Sequence, residues 1–304
     1  MSSVPALSAA DAAHRTWLTD AFAKAAANAG ATPLGLPVFG WNDRSMSSRV
    51  ATSRSEQWLR LVVEQQSWAG GDFWTGNRDA NVITGVAKPS VLGHWEWSDG
   101  TWAVRAELMT LVEGAPCSPT PELREPVDLP ASWWDGLASS LAGLAGVETE
   151  RVHLRQADVT RRLEVFFGDS VGDPRVSRWT AAHTDLHWAN LLAPGYVLVD
   201  WEGWGLAPAG YDAACLFVHS LLVPEVAERV REVLGEHLQT RDGLLAQLYA
   251  TTRLLQRADQ GDYSGMAIPL HRNADRVIEQ LAARFRAASA AGTAAGRRGT
   301  RGSG

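Results

Sequence analysis

The sequence predicts an α+β protein in two lobes, mainly β to about residue 112 and mainly α from 113 to about 286. Three observations predict it. Between Leu34 and Val112 the chain runs in short alternating or apolar stretches broken by Gly- and Ser-containing turns, as strands do. From Ala131 onward, wide apolar stripes recur at helical spacing, the first carried by Trp133, Trp134, Leu137, Leu141 and Leu144. Residues 116–130 hold five prolines and read as a linker or an ordered crossing loop. A run of strands followed by a run of helices is the α+β pattern.

The elements follow in order. Residues 8–29 read as a helix, with Ser8 as a possible N-cap, many alanines, and Trp17, Leu18, Ala21 and Phe22 on one face. Leu36–Phe39 is a strand leading into a polar loop, Gly40 to Ser48, and 49–52 with 58–63 form the next two strands. Residues 71–83 can form a short helix. Residues 91–97 and 102–112 read as a hairpin around Ser98-Asp99-Gly100. Helices are expected at 131–146, 157–168, 213–223, 225–238, 243–257 and 272–285. Residues 287–304, rich in Ala, Gly and Ser, are expected to form a disordered tail.

Composition narrows the function class. With 304 residues, 45% hydrophobic and 20% charged, the chain has the makeup of a globular protein. A net charge of −6 argues against nucleic acid as a partner and mildly favours a cationic co-substrate through steering. Cys117 and Cys215 stand far apart and make neither a disulfide framework nor a metal site. Charged residues interrupt the first thirty positions, and no apolar run is long enough to span a bilayer. The expectation is a cytoplasmic protein with no membrane partner.

The chemistry concentrates in His183-Thr184-Asp185-Leu186-His187-Trp188-Ala189-Asn190-Leu191-Leu192 and the following Val197-Leu198-Val199-Asp200-Trp201-Glu202. This is a polar loop, a turn at Pro194-Gly195 and a strand, Tyr196 to Val199, that ends on an acid. A hairpin brings Asp185, Asn190, Asp200 and Glu202 to one rim. Hard oxygens of this kind suit Mg²⁺, which takes one or two protein carboxylates and completes its shell with water and phosphate. A carboxylate left off the metal can take a hydroxyl proton during attack on phosphorus. His183 and His187 flank Asp185 on a loop, without the helical Glu-bearing signature of a zinc hydrolase.

These residues resemble the aminoglycoside phosphotransferase and choline kinase superfamily, which carries His-Gly-Asp-Leu-His-x-x-Asn, a strand into Asp-Trp-Glu, then Gly-x-x-Pro-x-x-x-Asp. The last element here is Gly205 through Pro208 to Asp212, and Thr184 stands where Gly is usual. The ordered motif covers roughly thirty residues. The resemblance implies a bilobal protein-kinase-like fold and an ATP- or GTP-dependent kinase acting on a small-molecule hydroxyl acceptor: an aminoglycoside-like antibiotic, amino sugar or other metabolite. It implies Asp185 as catalytic base, Asn190 and Asp200 as Mg²⁺ ligands, and Glu202 as an auxiliary metal or water contact. His183 is expected to brace the catalytic loop, and His187, Trp188, Trp201 and Trp204 to line the acceptor's side.

The N-terminal lobe is then the nucleotide-binding one. Ser47 and Ser48 are expected to donate to phosphates from the loop. This architecture places a cation on the third strand, but the two lysines, Lys24 and Lys88, lie outside strands. Arg60, set among apolar residues, takes that place and can fork across phosphate oxygens. Asp79 is the candidate to brace it, with Asp72 second and Glu64 at the strand end a further option. Backbone groups near Met109 and Leu111 are expected to bind the base. The alternative is a non-catalytic, nucleotide-binding pseudokinase, supported by the glycine-poor loop and the missing strand lysine.

Overall fold

A computed structural model describes residues 8–299 of the chain. It divides into two units, Met1–Thr84 with Lys88–Glu113, and Gly85–Ala87 with Gly114–Gly304.

In the first unit, helix α1 (Ala9–Asn28) begins where the Ser8 hydroxyl accepts from the Asp11 N–H at 3.1 Å, filling one of the orphan donors of the first turn. Five antiparallel strands follow: β1 (Thr32–Phe39), β2 (Ser45–Ala51), β3 (Glu56–Gln65), β4 (Val91–Asp99) and β5 (Trp102–Thr110), in the order β1-β2-β3-β5-β4. Because side chains alternate across a strand, Leu59, Leu61 and Val63 share one face with Val104, Ala106 and Leu108. That face packs on Leu18, Phe22, Ala25 and Ala26 of α1. Burying a side chain of this size stabilises by roughly 1.5–3 kcal/mol, so the α1 stripe is held against this face of the sheet.

The opposite face carries charge. The register aligns Ser47, Arg60, Glu107 and His94 across four strands. Helix α2 (Gly71–Asp79) contributes Asn77, whose amide donates to Glu107 Oε2 at 2.9 Å. Arg105 lies over the Trp74 ring at 4.7 Å and donates to the Trp74 carbonyl.

The second unit holds the helices α3 (Ala131–Ala145), α4 (Gln156–Phe167), α5 (Tyr211–His219), α6 (Pro224–Leu238), α7 (Arg241–Ala258) and α8 (Ala267–Gly299). Every residue of α5 is buried, and α7 is buried along most of its length, so these two form the axis of the core. Five short strands supply the loops: β6 (Ala115–Pro116), β7 (Trp179–Ala182), β8 (Leu191–Ala193), β9 (Val197–Leu198) and β10 (Gly205–Pro208). They form two small sheets, β10-β7 and β6-β8-β9.

Three expectations are corrected. The helix α8 continues through residues 287–299, where a disordered tail was expected; the alanines there have high helix propensity, and residues 300–304 lie outside the described part. The strand expected from Tyr196 is only Val197–Leu198, because the chain turns at Asp200 with φ +69°. The polar loop expected at Gly40–Ser48 is shorter, since β2 already begins at Ser45. The proline-rich crossing is ordered: Leu123 N–H donates to the His219 carbonyl at 2.8 Å, and Trp188 N–H to the Pro121 carbonyl at 3.2 Å.

Candidate functional site

The loop from His183 to Asn190 leaves β7 and is braced from three directions. Asp212, in the first turn of α5, accepts from the backbone N–H of His183 at 2.7 Å and of Thr184 at 2.8 Å. The Thr184 hydroxyl donates to the Gly203 carbonyl at 2.8 Å and lies 3.1 Å from His153 Nδ1. Gly203 has to be bare, because a Cβ there would stand 2.9 Å from that hydroxyl. The His183 ring donates from Nε2 to the Val199 carbonyl at 3.0 Å and meets the Trp201 ring edge-on at 4.8 Å.

Thr184 occupies the site of a usual glycine with φ +73°, a left-handed conformation that a β-branched residue adopts only under constraint. The Asp212 carboxylate and the Gly203 carbonyl are that constraint. Burial pushes the Asp212 carboxyl up to about 6, against the two backbone N–H groups that favour its ionised form. Burial also pushes His183 down to about 4, so its ring is neutral at neutral pH.

Asp185 is left half-exposed while its neighbours are buried. Its Oδ2 lies 3.4 Å from His187 Nε2 and 3.4 Å from Asn190 Nδ2, and its carbonyl accepts from the same amide at 3.0 Å. Partial enclosure opposes ionisation of Asp185, but His187 first and then Arg253 outweigh it and hold the carboxyl below the usual carboxylate range. Asn190 is tied across the hairpin by the Val199 N–H, which donates to its carbonyl at 3.0 Å, so Asp200 is the next residue along from its partner. Asp185, Asn190 and Asp200 therefore come from one braced hairpin. Glu202 is buried, and its carbonyl receives Arg151 at 3.3 Å.

The donor set that Asn190 and Asp200 provide is one carboxamide and one carboxylate. This fits a cation that takes few protein ligands and relies on phosphate for the rest. Among the described residues no group of three or more His, Cys, Asp or Glu is arranged to hold a metal.

Trp188, Trp201 and Trp204, expected beside the acceptor, are core residues instead. Each is at most 3% exposed. Trp188 stacks on Trp133 at 6.2 Å and donates to the Ser220 hydroxyl at 3.0 Å; Trp201 donates to the Leu198 carbonyl at 2.9 Å; Trp204 lies under the Arg151 guanidinium at 4.8 Å. Their large apolar surfaces support the hairpin from beneath.

In the first unit, Arg60 lies 3.9 Å from Glu107. Glu107 also receives Arg105 at 3.2 Å and is 1% exposed, a buried acid that sequence reasoning missed. Its signal was present: an acid two residues from an arginine inside an apolar strand needs partners. Asp79 receives the Thr75 hydroxyl at 2.5 Å and lies 3.6 Å from Arg78. Ser47 and Ser48 sit in β2, where both neighbouring strands pair with it, and not in a loop. Ser47 stands opposite Arg60. Ser48 stands opposite Leu59, on the α1 face, and its hydroxyl donates to the Arg49 carbonyl at 3.1 Å. Met109 is inside β5, flanked by Trp58 and Val91, so its backbone belongs to the sheet; Leu111 lies just past the strand end.

No protein-family model and no curated relative matches this sequence. Solved structures do. The chain is similar to the aminoglycoside phosphotransferase APH(4)-Ia, with a TM-score of 0.57 at 13% identity over 87% of this chain and 99% of that one. A thermostable mutant of that protein, crystallised with AMP-PNP and hygromycin B, gives 0.55 at 13% identity over 81% and 93%. A choline/ethanolamine kinase family protein from Mesorhizobium loti gives 0.50 at 16% identity over 87% and 95%. The chain shares the α+β fold of these structures, with a sheet-rich N-terminal part and a helical C-terminal part. Among the described residues no helix is long and apolar enough to cross a membrane.

Proposed function

We propose that this protein is a small-molecule kinase that moves the γ-phosphate of ATP or GTP to a hydroxyl group. The observation that carries the reading is the braced hairpin from which Asp185, Asn190 and Asp200 all come, its first loop held at His183 and Thr184 by Asp212. The fold supports it, since similar structures include phosphotransferases and one was solved with a nucleotide analogue.

In this reading the Asp185 carboxylate orients the acceptor hydroxyl and takes its proton as the oxygen attacks the γ-phosphorus. His187, 3.4 Å away, keeps that carboxylate ionised. Asn190 and Asp200 would hold Mg²⁺, which when bound supplies neutralisation of the phosphate charge. Arg60, steadied by Glu107, binds nucleotide phosphates from the first unit, with Ser47 beside it and Asp79 as a further brace; the chain past Leu111 receives the base. Positioning and charge supply the catalysis, with no covalent intermediate.

The test is a paired one on two acids with different work. Asp185→Asn is expected to keep Mg·ATP affinity near wild type and to lower turnover by about 10²–10⁴-fold. Asp200→Asn is expected to weaken Mg·ATP binding as well as turnover. Calorimetry and phosphoryl-transfer rates on both variants check this. A wild-type protein that binds Mg·ATP but neither phosphorylates nor hydrolyses anything would be a pseudokinase.

A further inference from the structure

Beside Asp185 the second unit has a small cavity of about 40 Å³ that opens to solvent, lined by Leu186, Cys215, His219, Arg253, Arg257 and Tyr263 among others. Asp185 is the lone acid among the described lining residues, against two arginines. His219 adds no negative charge and no positive one: its Nδ1–H donates to the Cys215 carbonyl at 2.7 Å, and burial pushes it down to about 3.

The two arginines differ. Arg257 is answered by Asp262 at 2.9 Å and lies over the Tyr263 ring at 5.3 Å. Arg253 has a neutral partner, donating one hydrogen bond to the Tyr211 hydroxyl at 2.8 Å. It forms no ion pair among the described residues, yet it lies close enough to Asp185 to help hold that carboxyl ionised. A guanidinium has five N–H donors in a planar fork and stays charged at any working pH. Half-buried, with donors left over, it forms a receptor for a carboxylate or another oxyanion. Asp262, next to the lining residue Tyr263, is committed to Arg257. An acceptor carrying several ammonium groups would meet Arg253 and Arg257 with no acid among the described lining residues except Asp185 itself.

We propose that the acceptor is a small alcohol that carries an oxyanion, foremost a hydroxycarboxylate, bound with its anionic end on Arg253 and its hydroxyl at Asp185. This rests on the kinase reading and names its substrate class, and it runs against the cationic co-substrate that the net charge of −6 favours. The local charge decides, because a pocket's field at contact exceeds a screened net charge spread over the whole surface. The reaction balances without further reactants. The acceptor oxygen bonds to the γ-phosphorus, the bond from that phosphorus to the β–γ bridging oxygen breaks, the nucleoside diphosphate leaves with that electron pair, and the hydroxyl proton passes to Asp185 and then to water.

The experiment presents the full chain, with Mg·ATP, with small hydroxycarboxylates, the methyl ester of each, sugar phosphates, and polycationic amino sugars, reading product mass and kcat/KM. The acid is expected to exceed its own ester by about 10–10²-fold, the size of hydrogen bonds to a charged group. Arg253→Gln should bring that ratio close to one, mainly through KM, while Arg253→Lys keeps part of it. The acid-to-ester comparison on the wild type needs no variant to fold. Turnover of sugar phosphates alone keeps the oxyanion class and makes phosphate its source. Turnover of esters or amino sugars in preference to the acids overturns the proposal and leaves the kinase reading standing, whereas a protein that binds Mg·ATP but phosphorylates and hydrolyses nothing overturns both. Failure to bind Mg·ATP by calorimetry removes the kinase reading, and this proposal with it.

Discussion

Thr184 offers the cleanest separation of strain from hydrogen bonding in the loop from His183 to Asn190. Its φ of +73° is a conformation that costs a residue with a Cβ about 1–2 kcal/mol. Its hydroxyl recovers part of this through the 2.8 Å bond to the Gly203 carbonyl, net about 0.5–1.5 kcal/mol. Thr184→Ala keeps the strain and loses the bond, so it is expected to destabilise by about 0.5–1.5 kcal/mol. Thr184→Gly also loses the bond but removes the strain, at an entropic cost of about 0.5–1 kcal/mol. Glycine should therefore be more stable than alanine by up to about 1.5 kcal/mol, centred on about 0.7 kcal/mol, and close to wild type. For a unit of this size, 1 kcal/mol moves a melting temperature by about 2–4 °C, so scanning calorimetry resolves the order wild type ≈ Gly > Ala. An alanine variant as stable as the glycine variant would refute the strain at this position.

Two further outcomes are expected. Arg60→Ala should weaken ATP affinity by a factor worth roughly 1.5–3 kcal/mol, with Arg60→Lys recovering part; unchanged affinity by calorimetry would make Arg60 a structural partner of Glu107 only. Stability should fall as pH drops from 6.5 towards 4, because burial holds His153 and His183 near 4 and His219 near 3: a depressed histidine contributes stability that is present above its unfolded value and lost as pH falls through its folded one. Asp212, raised to about 6, works in the opposite direction, its contribution being present at low pH and lost as pH rises through 6. Three groups against one leave a net loss of roughly 4 kcal/mol at most between pH 7 and 5, measurable by urea unfolding, and equal stability at both values would contradict the neutral buried rings.

Much of this was legible in the chain because it depends on local pattern. Alternation in 56–65 and 102–110 shows the sheet, and an arginine flanked by Leu59 and Leu61 announces a charge the fold must use. The acidic hairpin is visible because residue type and spacing are the site. What stayed hidden depends on register and burial. Ser47 and Ser48 read as loop until the pairing Ser47 with Arg60 and Ser48 with Leu59 shows them on opposite faces of one strand. Trp188, Trp201 and Trp204 are adjacent in sequence to the rim yet point beneath it, and only packing against Trp133 and Ser220 shows which way the indoles turn. Arg253 and Tyr263 reach Asp185 from α7 and the loop after it, across more than sixty positions, with no spacing rule to connect them.

Asp212 connects these levels. Its position closes the Gly-x-x-Pro-x-x-x-Asp pattern, yet its job is structural: it is buried with two backbone N–H groups as its partners and sits at the start of the buried helix α5. A carboxylate in such a place costs folding energy, which the shift up to about 6 records. What that cost sustains is the backbone of His183 and Thr184, and so the position of Asp185 one residue later. The same helix ends at His219, whose ring lines the pocket beside Asp185. One buried helix thus braces the backbone ahead of Asp185 at its first turn and supplies a wall of that pocket at its last, while Arg253 reaches the pocket from α7.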